Sequence, residues 1–202
     1  AGFTIEETDG STEVDESGST DIFTVVLDAE PTSDVVLTIT SDDTGEATVP
    51  ASVTFTAVDW DTPQTVTVTG VDDGFVDGTI TSTITIAVDD ANSDDDFDTV
   101  ADQTVSVDTL DDDVAGFTVE ETDGSTEVDE SGSTDIFTVV LDAQPTLDVV
   151  LTITSESTTE ASVNPSSITF TSENWDTPQT VTVTGVDENV VDGDQTTNIT
   201  IA

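Results

Sequence analysis

Residues 1–29 of this chain return as residues 115–143 with a single change, Ile5 becoming Val119. The run WDTPQTVTVTGVD from Trp60 to Asp72 also returns unchanged from Trp175 to Asp187. Between these blocks the second copy gains a residue near Asn164-Pro165, which places the insertion in a loop. The period of about 114 residues is too long for a solenoid unit and suits a whole domain repeated in tandem. The expected domains are residues 1–113 and residues 114–202. Ala202 corresponds to Ala87, so the second copy lacks the counterpart of the last strand of the first. We expect a window on a longer array, with a strand from a neighbouring molecule as the alternative.

Within a copy, Val, Ile, Thr and Phe alternate in short runs between clusters of Gly, Pro, Asp and Ser, the pattern of half-buried strands. Residues Phe3 to Glu7 and Thr12 to Glu16 read as an edge strand split by the turn Thr8-Asp9-Gly10. Further strands follow at Asp21 to Asp28, Val35 to Thr40, Val53 to Thr56, Gln64 to Gly70, Thr79 to Val88 and Val100 to Leu110. Seven short alternating strands without a helical period predict an all-β fold, a tandem pair of seven-stranded antiparallel Greek-key (Ig-like) sandwiches. Trp60 and Trp175 recur at one place in each copy, which favours a core role over carbohydrate stacking.

The chain carries 46 Asp plus Glu and no Lys, Arg or His, for a formal net charge of -46. High acidity with few aromatic residues is also the mark of disorder, and the strand patterning argues against it. Nucleic-acid binding requires cationic groups to displace phosphate counterions, and anionic lipid requires them too, so both partners are excluded. No run of about 18 apolar residues occurs, so membrane insertion by a helix is not expected. Without Cys there is neither disulfide nor thiolate metal site, and without Lys no isopeptide crosslink to Asn. An enzyme is not expected, because only carboxylates and hydroxyls remain for acid-base or nucleophilic work. The triplet Asp43-Thr44-Gly45 becomes Ser157-Thr158-Thr159 in the second copy and reads as a turn. Asn198-Ile199-Thr200 is a glycosylation sequon whose use the sequence leaves open.

Loops after alternate strands of such a sandwich gather at one end. The acidic ones here are Asp42-Asp43, the turn VDDGFVDG with Asp72, Asp73 and Asp77, and the run Asp111-Asp112-Asp113, with Glu16 close by. Two like charges about 4 Å apart repel by roughly 4 kcal/mol at an effective dielectric of 20, so converging carboxylates call for a cation. An all-oxygen set on irregular loops suits calcium better than octahedral magnesium. Asp94-Asp95-Asp96-Phe97-Asp98 lacks the glycine of an EF-hand. In a chain this acidic, merely solvated loops are the competing reading.

The segments VDESG at Val14 to Gly18, the pair Asp42-Asp43, VDDGFVD at Val71 to Asp77 and DDDVAG at Asp111 to Gly116 resemble, in order and spacing, the Calx-beta domains of sodium/calcium exchangers and bacterial surface proteins. The resemblance spans the first copy and what is present of the second. It implies calcium held at the joint with the next domain by Glu16, Asp42 or Asp43, Asp72, Asp73, Asp77 and Asp111 to Asp113. The second copy would offer Glu130, Glu156, Asp187, Glu188 and Asp192, without a DDD run. Gly74, Gly78 and Ile80 stand where exchanger domains carry further ligands, which implies fewer ions or weaker binding. The near-identical copies are also similar in architecture to extender repeats of giant marine bacterial adhesins.

These readings lead to a calcium-rigidified structural spacer of a long secreted or cell-surface bacterial adhesin or extracellular filament. Its expected partners are neighbouring repeats of the same chain and like chains in a filament, and its expected location is extracellular. Two other functions fit the composition. One is an acidic lattice, sheath or matrix protein of a salt-adapted organism. The other is a calcium sensor pair, which near-identical copies disfavour.

Overall fold

A computed structural model describes residues 1–191 and 193–202. It divides into two compact units, Ala1–Asp73 with Asp77–Asp112, and Gly74–Val76 with Asp113–Ala202. Strands dominate both, and among the described residues no helix is long and apolar enough to cross a membrane.

The first unit runs β1 (Phe3–Glu7), β2 (Thr12–Asp15), β3 (Thr20–Leu27), β4 (Val35–Ser41), β5 (Ala47–Thr48), β6 (Ser52–Phe55), β7 (Gln64–Gly70), β8 (Ile80–Val88) and β9 (Gln103–Leu110). They form a four-stranded sheet in the order β1-β3-β7-β5 and a five-stranded sheet in the order β2-β9-β8-β4-β6. The period of two puts Phe23, Val25 and Leu27 of β3 inward, with Val66 and Val68 of β7, against Leu37, Ile84, Ile86 and Val107 of the other sheet. Burying this alternation from both sides is what makes the sandwich. Trp60 is half-buried and packs on that core, while its carbonyl accepts a hydrogen bond from Leu27 N at 3.1 Å.

All-β character and sheet-on-sheet packing follow the expectation, and three details depart from it. The split strand serves two sheets: β1 pairs with β3, whereas β2 lies beside β9. That second pairing is parallel, Thr12 opposite Val107 and Asp15 opposite Leu110, so the sandwich is not wholly antiparallel. The turn at Thr8–Gly10 makes the switch, with Asp9 at φ 57° and Gly10 at φ 86° redirecting the chain. The short strand β5 carries only Ala47 as an inward residue, too little alternation to recognise in sequence. Before β4, the Asp94 carboxylate accepts hydrogen bonds from Thr32 N, Ser33 N, Thr32 Oγ1 and Asp96 N, and Phe97 nearby is buried.

The second unit runs β10 (Phe117–Glu121), β11 (Thr134–Leu141), β12 (Val149–Ser155), β13 (Ala161–Asn164), β14 (Ser167–Phe170), β15 (Gln179–Gly185) and β16 (Ile199–Ile201). Its sheets are β10-β11-β15-β13 and β14-β12-β16. The inserted residue falls between β13 and β14. Residues 126–129 repeat the TEVD of β2 letter for letter and are not in a strand. Phe3 is 3 % exposed while its copy Phe117 is 39 % exposed. In the first unit β9 and the segment before it supply Phe97, Val105 and Val107 to the core; the second core has no counterpart among the described residues.

Candidate metal centre

Four segments of the first unit bring carboxylates to one end. The chain leaves β2 at Glu16, whose N–H donates to Leu110 O at the end of β9, 3.0 Å away. Glu46 closes the turn before β5. There Gly45 N donates to the Asp43 side chain at 2.9 Å and Ala47 N to Asp43 O at 3.1 Å, while the Glu46 carbonyl receives Val71 N at 2.8 Å. Asp77 lies in the loop between β7 and β8, where Asp77 N and Gly78 N both donate to one oxygen of Asp111, at 3.0 and 2.7 Å. Gly78, at φ 77°, lets the loop present two successive N–H groups to that oxygen. Backbone N–H groups donating to backbone carbonyls and to the Asp111 carboxylate thus join the four segments without help from the carboxylates of Glu16, Glu46 and Asp77.

Carboxylate oxygens of Glu16, Glu46 and Asp77 lie within 4.8 Å of one another. Glu16 is 1 % exposed and Glu46 7 %, while Asp77 faces solvent. One oxygen of each buried glutamate, Oε2 in both, has no hydrogen-bond partner. Burial first, and then the charges of Asp73, Asp77, Asp111 and Glu46, push the Glu16 carboxyl up to about 7. Glu46 is raised by burial and then by Asp77, Asp43, Asp73 and Asp111, and Asp77 by burial, Asp73 and Asp111. A buried anion normally persists only beside a cationic side chain or hydrogen-bond donors. This chain contains no Lys, Arg or His, so neutralisation comes from protons or from an ion supplied by solvent.

The residues expected as ligands fall into several groups. Glu16 and Asp77 meet in the group just described, with Asp73 and Asp111 near enough to raise the pKa of Glu16. Asp43 organises the turn of Glu46 and adds its charge there. The carboxylate of Asp42 accepts from Thr83 N at 2.7 Å and stands outside the group of three. Asp72 and Asp112 are exposed, and Asp113 is half-buried and belongs to the second unit. In that unit Glu130 and Asp187 are exposed and line an open depression with Ser131 and Gly132. Glu156 is exposed and accepts from Asn198 Nδ2 at 2.8 Å, and Glu188 is half-buried. Asp192 lies outside the described residues.

Glu46 is the residue that the sequence reading passed over. A signal for it exists in the repeat: Asp42 and Asp43 become Glu156 and Ser157 in the second copy, whereas the Glu-Ala pair is retained as Glu160-Ala161. Val186 N donates to Glu160 O at 2.9 Å, the same hydrogen bond as that between Val71 and Glu46.

No protein-family model matches the chain. No curated protein matches it either. Among solved structures it is similar to CBD12 from CALX1.2, at 14 % identity and TM-score 0.40, over 98 % of this chain and 79 % of that one. It is also similar to the E. coli chaperone DraB, at 11 % identity and TM-score 0.41, over 94 % and 89 %. A Bacteroides ovatus GH5 xyloglucanase overlaps 55 % of this chain at 14 % identity and TM-score 0.36, and the chain spans 20 % of the length of that enzyme. Overlaps at these scores carry no functional argument, which rests on the chain's own residues.

Proposed function

We propose that the first unit binds calcium through Glu16, Glu46 and Asp77, with Asp73 and Asp111 beside them. In this reading the chain is a calcium-rigidified, non-catalytic spacer repeat of a long secreted or cell-surface adhesin or extracellular filament. The observation that carries it is the pair of nearly closed glutamates whose Oε2 atoms have no partner in a chain without a cationic side chain. The donor set fits the ion, being all oxygen, carboxylate-rich and carried on loops that tolerate irregular coordination. Bound there, a divalent ion supplies the positive charge that the side chains lack. It would clamp the end of β2, the turn before β5 and the β7–β8 loop, converting mutual repulsion into a crosslink. Near-identical copies support a spacer, since interchangeable units add length where specialised ones would signal. The Calx-beta resemblance of the motifs points the same way, and its implied partners are neighbouring repeats and like chains.

Titration of calcium into chelator-treated chain, with thermal melting alongside, tests this reading. Saturable binding with a dissociation constant of roughly 10⁻⁴ to 10⁻³ M, the range of extracellular modules, is expected together with a higher melting temperature. Absence of binding at millimolar calcium, with equal stabilisation by sodium chloride, would reject it in favour of an acidic surface suited to high salt.

A further inference from the structure

We propose that Ser82 is a positioning residue of the metal centre, its hydroxyl donating to one oxygen of the Glu46 carboxylate while the other oxygen faces an ion. The inference rests on the calcium reading and deepens it by adding a neutral partner to the carboxylates.

A serine is unexpected at this point of the core. The inward residues of β8 are Ser82, Ile84 and Ile86, and Ser82 is 1 % exposed with a hydroxyl that has no hydrogen-bond partner. A buried hydroxyl without a partner is a cost to the fold that an alanine would avoid. Among the described residues of the first unit, the buried side-chain atoms in this state are Ser82 Oγ, Glu16 Oε2 and Glu46 Oε2. Orphaned groups of this kind call for a reason, and a hydroxyl that serves the ion-loaded state supplies one.

Strand pairing puts that hydroxyl beneath the turn that carries Glu46. Ser82 stands opposite Val107 on β9, and Thr109, two positions further along the same inward face, donates through its hydroxyl to Glu46 O at 3.5 Å. The neighbouring Thr83 N donates to the Asp42 carboxylate at 2.7 Å and Asp42 N to Thr83 O at 3.1 Å, which ties β8 here to the start of the same turn. A hydroxyl at this position does reach the turn in the second unit. There Thr197, the counterpart of Ser82, accepts from Ser157 N at 3.0 Å, and Ser157 is the counterpart of Asp43. In the first unit Asp43 N donates to Ser41 Oγ instead, at 3.3 Å, so the Ser82 hydroxyl is not spent on the backbone. Beside a buried carboxylate a hydroxyl brings a donor without adding charge. Donating to one oxygen of Glu46 fixes the rotamer in which the other faces the ion, the part that outer partners of metal ligands play.

The test compares wild type with Ser82→Ala, Ser82→Thr and, as a control on the exposed face of β9, Ser106→Ala. Isothermal titration with calcium chloride and melting in chelator are the readouts. Ser82→Ala should bind calcium about tenfold more weakly. In chelator it should melt at or above the wild-type temperature, because the hydroxyl it deletes has no partner there. Ser82→Thr keeps the hydroxyl and should hold affinity within about threefold of wild type, while Ser106→Ala should change neither reading. Wild-type affinity in Ser82→Ala, with or without a lower melting temperature, marks a serine that only fills space and overturns the inference while leaving the calcium reading intact. Affinity in Ser82→Thr as weak as in Ser82→Ala does the same. A wild type that does not bind calcium removes both readings.

Discussion

Glu16 and Glu46 bring carboxylate oxygens within 4.8 Å of each other at a place almost closed to solvent, although the strands they adjoin, β2 and β5, belong to different sheets of the sandwich. Two such groups cannot both be ionised without a counter-ion except at a cost to the fold. Because the Glu16 pKa is raised to about 7 from an ordinary 4.5, the folded chain holds a proton there that the unfolded chain has released. Stability of the metal-free protein therefore falls as pH rises from about 4.5 to about 7, where the unfolded state binds fewer protons than the native one. Melting temperatures across that window, measured in chelator, should decline, and the Glu16→Gln variant should decline less. Saturating calcium should abolish the slope.

Removing one buried carboxylate separates the ion's needs from the fold's. Glu46→Gln should weaken calcium binding by about tenfold or more, since affinity in such sites follows ligand charge. The same substitution should raise metal-free stability, because it deletes a like charge facing Glu16 and Asp77. Asp42→Asn, whose amide oxygen can still accept from Thr83 N, should leave affinity within about threefold if three carboxylates hold the ion. Calorimetry of the two variants side by side decides it.

Gly70 has no room for a side chain. A Cβ built there would meet the backbone oxygen of Asp15 at 2.0 Å, so β7 and the end of β2 pack backbone to backbone immediately before Glu16. Gly70→Ala should cost about 1–3 kcal/mol or more, the range for overpacked sites, and should lower calcium affinity by moving Glu16. Gly185 meets Asp129 O at the same 2.0 Å, which makes Gly185→Ala a replicate in the second unit. Urea denaturation gives both values.

Val14 and Val128 occupy the same position of identical segments in different surroundings. Val14→Ala should cost about 2 kcal/mol, the burial of two methyl groups plus a small cavity, and Val128→Ala less than half as much. Equal losses would mean that both segments are covered alike.

Asp94 behaves oppositely to Glu16. Hydrogen bonds from Asp96 N, the Thr32 side chain and Ser33 N favour its charged form and hold its pKa at about 2, below the usual 3.8. Its stabilisation is present above 3.8 and lost as pH falls through about 2. Asp94→Ala should therefore be less stable than wild type at neutral pH and match it in strong acid, as read by denaturation at both pH values.

Much of this was open to sequence reasoning. The alternation of Phe23, Val25 and Leu27, and of Val66 and Val68, specifies an inward face whatever the neighbours are, because a period of two leaves only one way to bury it. The complete absence of cationic side chains likewise follows from composition, and with it the need for protons or an outside ion wherever carboxylates are buried. Glu16 and Asp77 could be named because each stands in a distinctive acidic motif. Glu46 stands in no such motif and has only the retained Glu-Ala pair of the repeat to mark it, since its burial comes from Asp43 turning the chain and from Val71 and Thr109 holding its carbonyl, contacts made across 25 and 63 positions of sequence.

The repeated TEVD marks where local information ends. Composition and alternation determined that this chain is all-β, acidic and twofold in sequence. Only the tertiary structure decided that Thr12–Asp15 is a strand and 126–129 is not, that β2 joins a different sheet from β1, and that Glu16 is enclosed while Glu130 faces water. The reason is physical: a strand is completed by hydrogen bonds to a neighbour, and a carboxylate is perturbed by what covers it, and neither is a property of the segment that carries them.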